Sequence, residues 1–166
     1  QARWDTAQLG FAVWLADELL GRFRDAEHGG FFFTSNDHEA LLHRGKPMAD
    51  EALPAGNAVA ALALGRLGHL LGELRYLDAA EATLRAAWPA MAAYPHGHAT
   101  MIGALDEYLT PPVVVVLRGP DAALPEWRGA AQAVFAPGRL VFAIPAGEAG
   151  LPGALATRHS AADGRP

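Results

Sequence analysis

The 166-residue sequence contains no cysteine. Disulfides, thiolate metal sites and thiol nucleophiles are excluded with it. Serine is almost as scarce. Only Ser35 and Ser160 are present, and neither stands in a GxSxG elbow, so a serine-hydrolase triad has no nucleophile to start from. Basic charge is also in deficit: 13 Lys and Arg against 18 Asp and Glu leave a formal charge of −5, with a pI near 5.7. The clustered Lys/Arg that would bind nucleic acid or an anionic lipid surface are missing. No apolar run approaches the roughly 20 residues of a membrane-spanning helix, and VVVVL at 113–117 has the length of a strand. The nucleotide fingerprints GxGxxG and GxxxxGK[ST] are absent. The start of the chain is amphipathic and acidic, which does not fit a signal peptide. The expectation is a cytoplasmic protein with no nucleic-acid or membrane partner and no cofactor.

Half of the sequence (51%) is apolar and 19% is charged, a composition that folds. The length suits one domain, or one domain with a small lobe. The first residue is not Met and the sequence opens inside a helical pattern, which fits a piece of a longer protein.

Leu9, Val13, Leu15, Leu19 and Leu20 recur at helical spacing and predict a helix over 4–22. RDAEHGG then reads as a turn. Phe31 to Thr34 and His38 to His43 read as the strands of a β-hairpin turning at Ser35-Asn36-Asp37. A second helix is predicted from Gly56-Asn57 to Leu71, Ala-rich and thin enough to pack closely, with Gly72 ending it. A third runs from Arg75 to Ala93, where Pro89 is expected to kink or end it. A fourth covers His98 to Tyr108. Short links between these helices predict antiparallel helical hairpins. The pattern changes at Pro111-Pro112. A strand at Val113–Leu117, a helix over Asp121–Phe135 and a strand at Leu140–Ile144 read as a right-handed parallel crossover. From Ala146 the Gly/Ala/Pro-rich tail reads as irregular. The fold class is mainly α: helical hairpins with a β-hairpin over 1–110, then a small α/β lobe over 111–166.

Several polar residues have two readings. Asp37, His38 and Glu39 at the hairpin tip either touch a ligand or are turn residues facing water. Arg44, Lys46, Asp50 and Glu51 either floor a pocket for a hydroxylated ligand or form surface ion pairs beside a helix start. Lys46 reads as solvated. Asn57 is an N-cap, or an orienting amide in a pocket. His96 and His98 have the spacing of a chelating pair, but no third or fourth ligand is recognisable, so no metal site is assigned. Gly119 closes a strand, where α/β folds bind ligands.

The run DAEHGGFFFTSNDHEALLHRGKPMADEALPAGNAVAALALGRLGHLLGELRYLDAAEATL resembles a segment of the thioredoxin-domain-containing proteins of the spermatogenesis-associated type, whose bacterial members are called YyaL-like. The matching positions are Gly29, Gly30, Phe31 and Phe32, then Asp37, Arg44, Lys46 and Asp50, then Pro54, Gly56 and Asn57. Tyr94-Pro95, Met101, Ala104, Leu105, Asp106 and the Val-rich strand follow. Two positions depart from the pattern. Ala55 stands where the family usually has Ser, and the sequence stops at Asp163-Gly164-Arg165-Pro166, before the family's Cys-containing tail.

The resemblance implies a parent protein with a thioredoxin-like domain followed by an (α/α)6 toroid like those of six-hairpin glycosidases and N-acylglucosamine 2-epimerases. The helices predicted here would be its last hairpins. It further implies a pocket at one end of the toroid and a carbohydrate ligand. Asp50 and His38 are then the expected catalytic residues, with Arg44, Asn57 and Asp37 binding substrate. The alternative is a non-catalytic scaffold that supports the thioredoxin-like domain or a protein partner.

Overall fold

In the computed structural model, residues 4–39 and 41–160 are described. The first helix, α1, spans Thr6–Arg22. It starts there because the Asp5 carboxylate accepts the N–H groups of Ala7 and Gln8, two of the free donors of a helix start.

The chain then reverses earlier than the sequence suggests. Gly29 and Gly30 both take positive φ, 74° and 77°. This left-handed conformation turns the backbone, so Arg24 and Phe31 form an antiparallel bridge. The segment after the turn therefore runs back along the end of α1. Phe32 N–H donates to the Phe23 carbonyl, Asn36 N–H to that of Arg22, and Phe33 N–H to that of Gly45. The expected hairpin over 31–43 does not form, because its first strand is already paired with 22–25. Its second strand crosses residue 40, which lies outside the described residues, and 38–39 and 41–43 around it are irregular.

Three helices follow: α2 (Gly56–Leu71), α3 (Leu74–Ala93) and α4 (Ala99–Leu109), with a 3-10 turn at Pro95–His98 leading into α4. Gly72 ends α2 in the left-handed conformation, φ 69°, and its N–H returns to Gly68 O. Pro89 does not end α3, which continues to Ala93. Ala87 and Met91 flank it and are both buried, so packing holds the helix across the missing N–H. The thin Ala face of α2 lies against α3 and α4. Ala58, Ala61, Leu84, Ala87, Met91, Met101 and Ala104 form the core between them.

The last part is strand, helix, strand: β1 (Val113–Gly119), α5 (Leu124–Gln132) and β2 (Arg139–Pro145). The strands pair in parallel, Val113 opposite Arg139 through to Gly119 opposite Pro145. The fold is thus mainly helical with a small two-stranded parallel sheet. α5 is shorter than the expected 121–135. Its first residues are held in a turn, where the N–H groups of Ala123 and Leu124 both donate to Pro120 O.

A second apolar cluster crosses residue 110. It joins Leu9, Ala16, Phe31, Leu64, Leu71 and Tyr76 of the helical part to Ile144, Leu151 and Leu155. The tail is accordingly less irregular than its composition implies. A 3-10 turn over Gly153–Thr157 places Leu155 in this core. Asp163–Pro166 lie outside the described residues. Tyr76 is fully buried and donates its hydroxyl to Asp17 at 2.6 Å, tying α3 to α1. Burial, and then the Asp17 carboxylate, push the Tyr76 pKa up to about 12.

Candidate functional site

The loop from Phe23 to Ala55 folds over the end of the molecule where α2 and α4 begin. Asp50 ties that end together. Its Oδ1 accepts the N–H of Ala55, next to the first residue of α2, and its Oδ2 accepts the N–H of Thr100 in the first turn of α4, both at 2.8 Å. Its own N–H donates to Gly97 O. One carboxylate therefore caps two helix starts that lie side by side, at the positive ends of both dipoles. The N–H groups of Ala55 and Thr100 hold the Asp50 pKa below the usual carboxylate range. A group with both oxygens occupied and its basicity lowered orients a site better than it removes a proton.

Asn57 is neither the cap nor open to a pocket. It is a buried residue inside α2, and Ala55 occupies the cap position without a side-chain bond. The Asn57 side chain binds the loop instead. Its Oδ1 accepts Phe31 N–H at 2.7 Å, and its Nδ2 donates to the carbonyls of Phe31 and Pro47, each at 2.9 Å. The amide has one acceptor and two donors, and all three are used. Gly30 packs directly on it. A Cβ there would meet Met48 Cε at 2.6 Å and Asn57 Oδ1 at 3.1 Å.

Lys46, expected in solvent, is drawn inward. Its Nζ lies 2.7 Å from Asp25 Oδ2 and 2.8 Å from Gly29 O. Asp25 also accepts the N–H groups of Glu27 and His28. Lys46, followed by His28 N–H, lowers the Asp25 pKa to about 2. Asp25 is the residue that sequence reasoning missed. A single Asp before a Gly-Gly turn gives no sign that its partner lies 21 positions away. Arg44 stacks over the Phe32 ring at 4.1 Å and donates to the Thr34 carbonyl.

Asp25, Gly30, Phe31, Arg44, Lys46, Met48 and Asn57 thus gather around the turn, with Asp50 beside them. Asp37 and His38 stand apart. Asp37 is exposed and pairs with Arg22, and the Ser35 hydroxyl leads in lowering its pKa. His38 is exposed, with Nδ1 3.3 Å from the carbonyl of Glu39. No hydrogen bond among the described residues joins either to Asp50 or Asn57. His96 and His98 diverge: His98 is buried with Nδ1 2.8 Å from Tyr94 O, while His96 sits edge-on to the Tyr94 ring. Gly119 lies under the ring of Trp127.

Open spaces also lie elsewhere. An apolar groove of about 670 Å3 runs between α1 and α2, lined by Leu15, Leu19, Val59, Leu67 and Phe142 among others. A more polar hollow of about 590 Å3 lies at the carboxyl end of β2, with Trp4, Asp121, Arg128 and Glu148 at its walls. Among the described residues, no helix is long and apolar enough to cross a membrane. Neither a family model nor a curated protein matches the chain.

Proposed function

We propose that this chain is the terminal part of an α/α toroid of the thioredoxin-domain-containing, spermatogenesis-associated type. Its ligand face is the end where α2 and α4 begin, and the ligand is a hydroxylated molecule of the carbohydrate class. The observation that supports this most is the double cap by Asp50. It sets two parallel-starting helices side by side, with their free N–H ends converging under one folded loop. Polyol hydroxyls suit an end where helix-start N–H groups lie beside charged and amide side chains. In this reading Asp50 and Asn57 position the floor. Arg44, partly exposed beside Phe32, approaches the ligand from the rim, and the exposed Asp37 and His38 stand farther out.

A thermal-shift panel of monosaccharides, sugar phosphates and N-acyl sugars tests the reading. Binding to the folded state raises the melting temperature by mass action. A rise with one sugar class, lost in Arg44→Ala, supports it, and no response across the panel refutes it.

The second reading is a non-catalytic scaffold. It is favoured by the apolar groove between α1 and α2, with the stacked rings of Phe11 and Trp14 each 54% exposed on α1. A helix that is apolar nearly all round is normally covered. On this reading the rest of a parent chain or a protein partner covers it.

A further inference from the structure

Parallel strands bring their carboxyl ends to one end of a sheet, and α/β folds bind small ligands just beyond that end. Gly119 closes β1 there but is covered by the Trp127 ring. The open space lies beside β2 instead. The hollow of about 590 Å3 takes its walls from separate stretches of chain: Trp4 ahead of α1, Asp121 and Arg128 from the α5 segment, and Glu148 from the turn after β2. Its size falls within the range of small-molecule sites, about 300–1,000 Å3. Leu124, Ala143 and Pro145 add apolar lining.

The walls are fixed by the fold itself. The Trp4 indole N–H donates to the Thr6 hydroxyl at 2.9 Å, and its ring stands perpendicular to that of Phe142. The Thr6 hydroxyl in turn donates to Oε2 of Glu148. The turn that carries Glu148 is pinned at both ends, by Ala146 N–H on Gly119 O and by Glu148 N–H on Pro145 O. Arg118 braces the same turn, with Nη2 donating to the Glu148 carbonyl at 3.1 Å. A site already ordered in this way loses little freedom when it binds.

Charges of both signs are left over at this end. Among the described residues, neither Asp121 nor Glu148 has an ion-pair partner. Arg118 has none there either, and its Nε and Nη1 are out of solvent without a hydrogen bond. An uncompensated guanidinium favours an anionic group nearby. Arg128 puts a second guanidinium on the wall, and this group has donors for more than one acceptor. A simple cation would meet the two arginines, and a simple anion the two carboxylates. A molecule that carries both charges answers both.

We propose that this hollow binds a small zwitterion with an apolar side chain, the chemistry of a free hydrophobic amino acid. The ammonium group is held by Asp121 and Glu148, the carboxylate by Arg128, and the side chain by Trp4, Leu124 and Pro145. The site is separate from the loop of residues 23–55, none of which lines it.

Isothermal titration of the whole chain with leucine, phenylalanine and tryptophan tests the proposal. Saturable binding of at least one of them, tighter than about 1 mM, is expected. The methyl ester of that amino acid lacks the carboxylate charge, and its N-acetyl form lacks the ammonium. Each should bind at least about tenfold more weakly, the effect of losing one charge-assisted hydrogen bond. Asp121→Asn at an exposed position, and Glu148→Gln, which keeps an oxygen for Thr6, should weaken the free amino acid by a similar factor. Arg44→Ala should leave it unchanged. No saturable binding of any of the three overturns the proposal. So does an ester or N-acetyl form that binds as tightly as the parent, and so does binding that Asp121→Asn and Glu148→Gln both leave intact.

Discussion

Replacing Asp50 with alanine should be costly, and the cost is set by two N–H groups rather than by any ligand. The carboxylate accepts from Ala55 and Thr100 at 2.8 Å each. Losing one helix cap costs about 0.5–2 kcal/mol, and a hydrogen bond to a charged group is worth about 1.5–3 kcal/mol. With two helix starts affected in a partly exposed position, Asp50→Ala should lose about 2–4 kcal/mol. For a chain of this size that is a fall of about 5–15 °C in melting temperature. Asp50→Asn keeps one acceptor and should lose about half as much. The pH dependence has a definite sign. The folded pKa lies below the ordinary value of 3.8, so the contribution is complete above the unfolded pKa and fades as pH falls through the folded one. Urea denaturation at pH 7, repeated stepwise to pH 3, measures both effects. An Asp50→Ala protein within about 0.5 kcal/mol of wild type at pH 7, or a gap that widens toward acid, would refute the reasoning.

Other predictions follow from neighbouring contacts. Asn57→Ala leaves Phe31 N–H and two carbonyls unpaired in a buried place; urea unfolding should show a loss of about 3 kcal/mol or more. Gly30→Ala combines a φ of 77° with a Cβ 2.6 Å from Met48 Cε, and should cost about 2 kcal/mol in the same assay, with the αL penalty alone near 1 kcal/mol. The Asp25 pKa of about 2 means that its ionised contacts, with Lys46 first and the N–H groups of His28 and Glu27 beside it, together stabilise by about 2 kcal/mol above pH 4. That contribution should drain away between about pH 4 and pH 2, and Lys46→Met should flatten this part of the acid titration of stability. Arg66→Ala removes a bidentate pair with Glu107 on a half-exposed surface; double-mutant cycles should give it less than about 1 kcal/mol.

Chemical composition and period carried far along this chain. The apolar spacing of 4–22, 56–71 and 75–93 is a local property, and helices formed there. The Val-rich run after Pro111-Pro112 and the apolar run after Pro137-Gly138 became parallel strands, since a helix-length connection leaves few other arrangements. The same local reasoning misplaced the turn near residue 30. Ser35-Asn36-Asp37 has ordinary turn chemistry, but Gly29-Gly30 reverses the chain first, and the segment that competes for Phe31–Asn36 is Arg22–Asp25, where α1 ends.

The site depended still more on distance in the fold. Asn57 has the sequence position of a cap, yet its amide reaches Phe31, 26 residues back. Lys46 looked solvated until Asp25 was beside it. Asp50 was legible as a carboxylate near a helix start; its second partner, Thr100, lies 50 residues on. By itself, the sequence determined where the helices and the two parallel strands lie and which chemistries lack their reactive groups, because these depend on neighbours along the chain. Only the tertiary structure decided which polar groups satisfy one another, because burial forces each donor to find an acceptor wherever packing has put one.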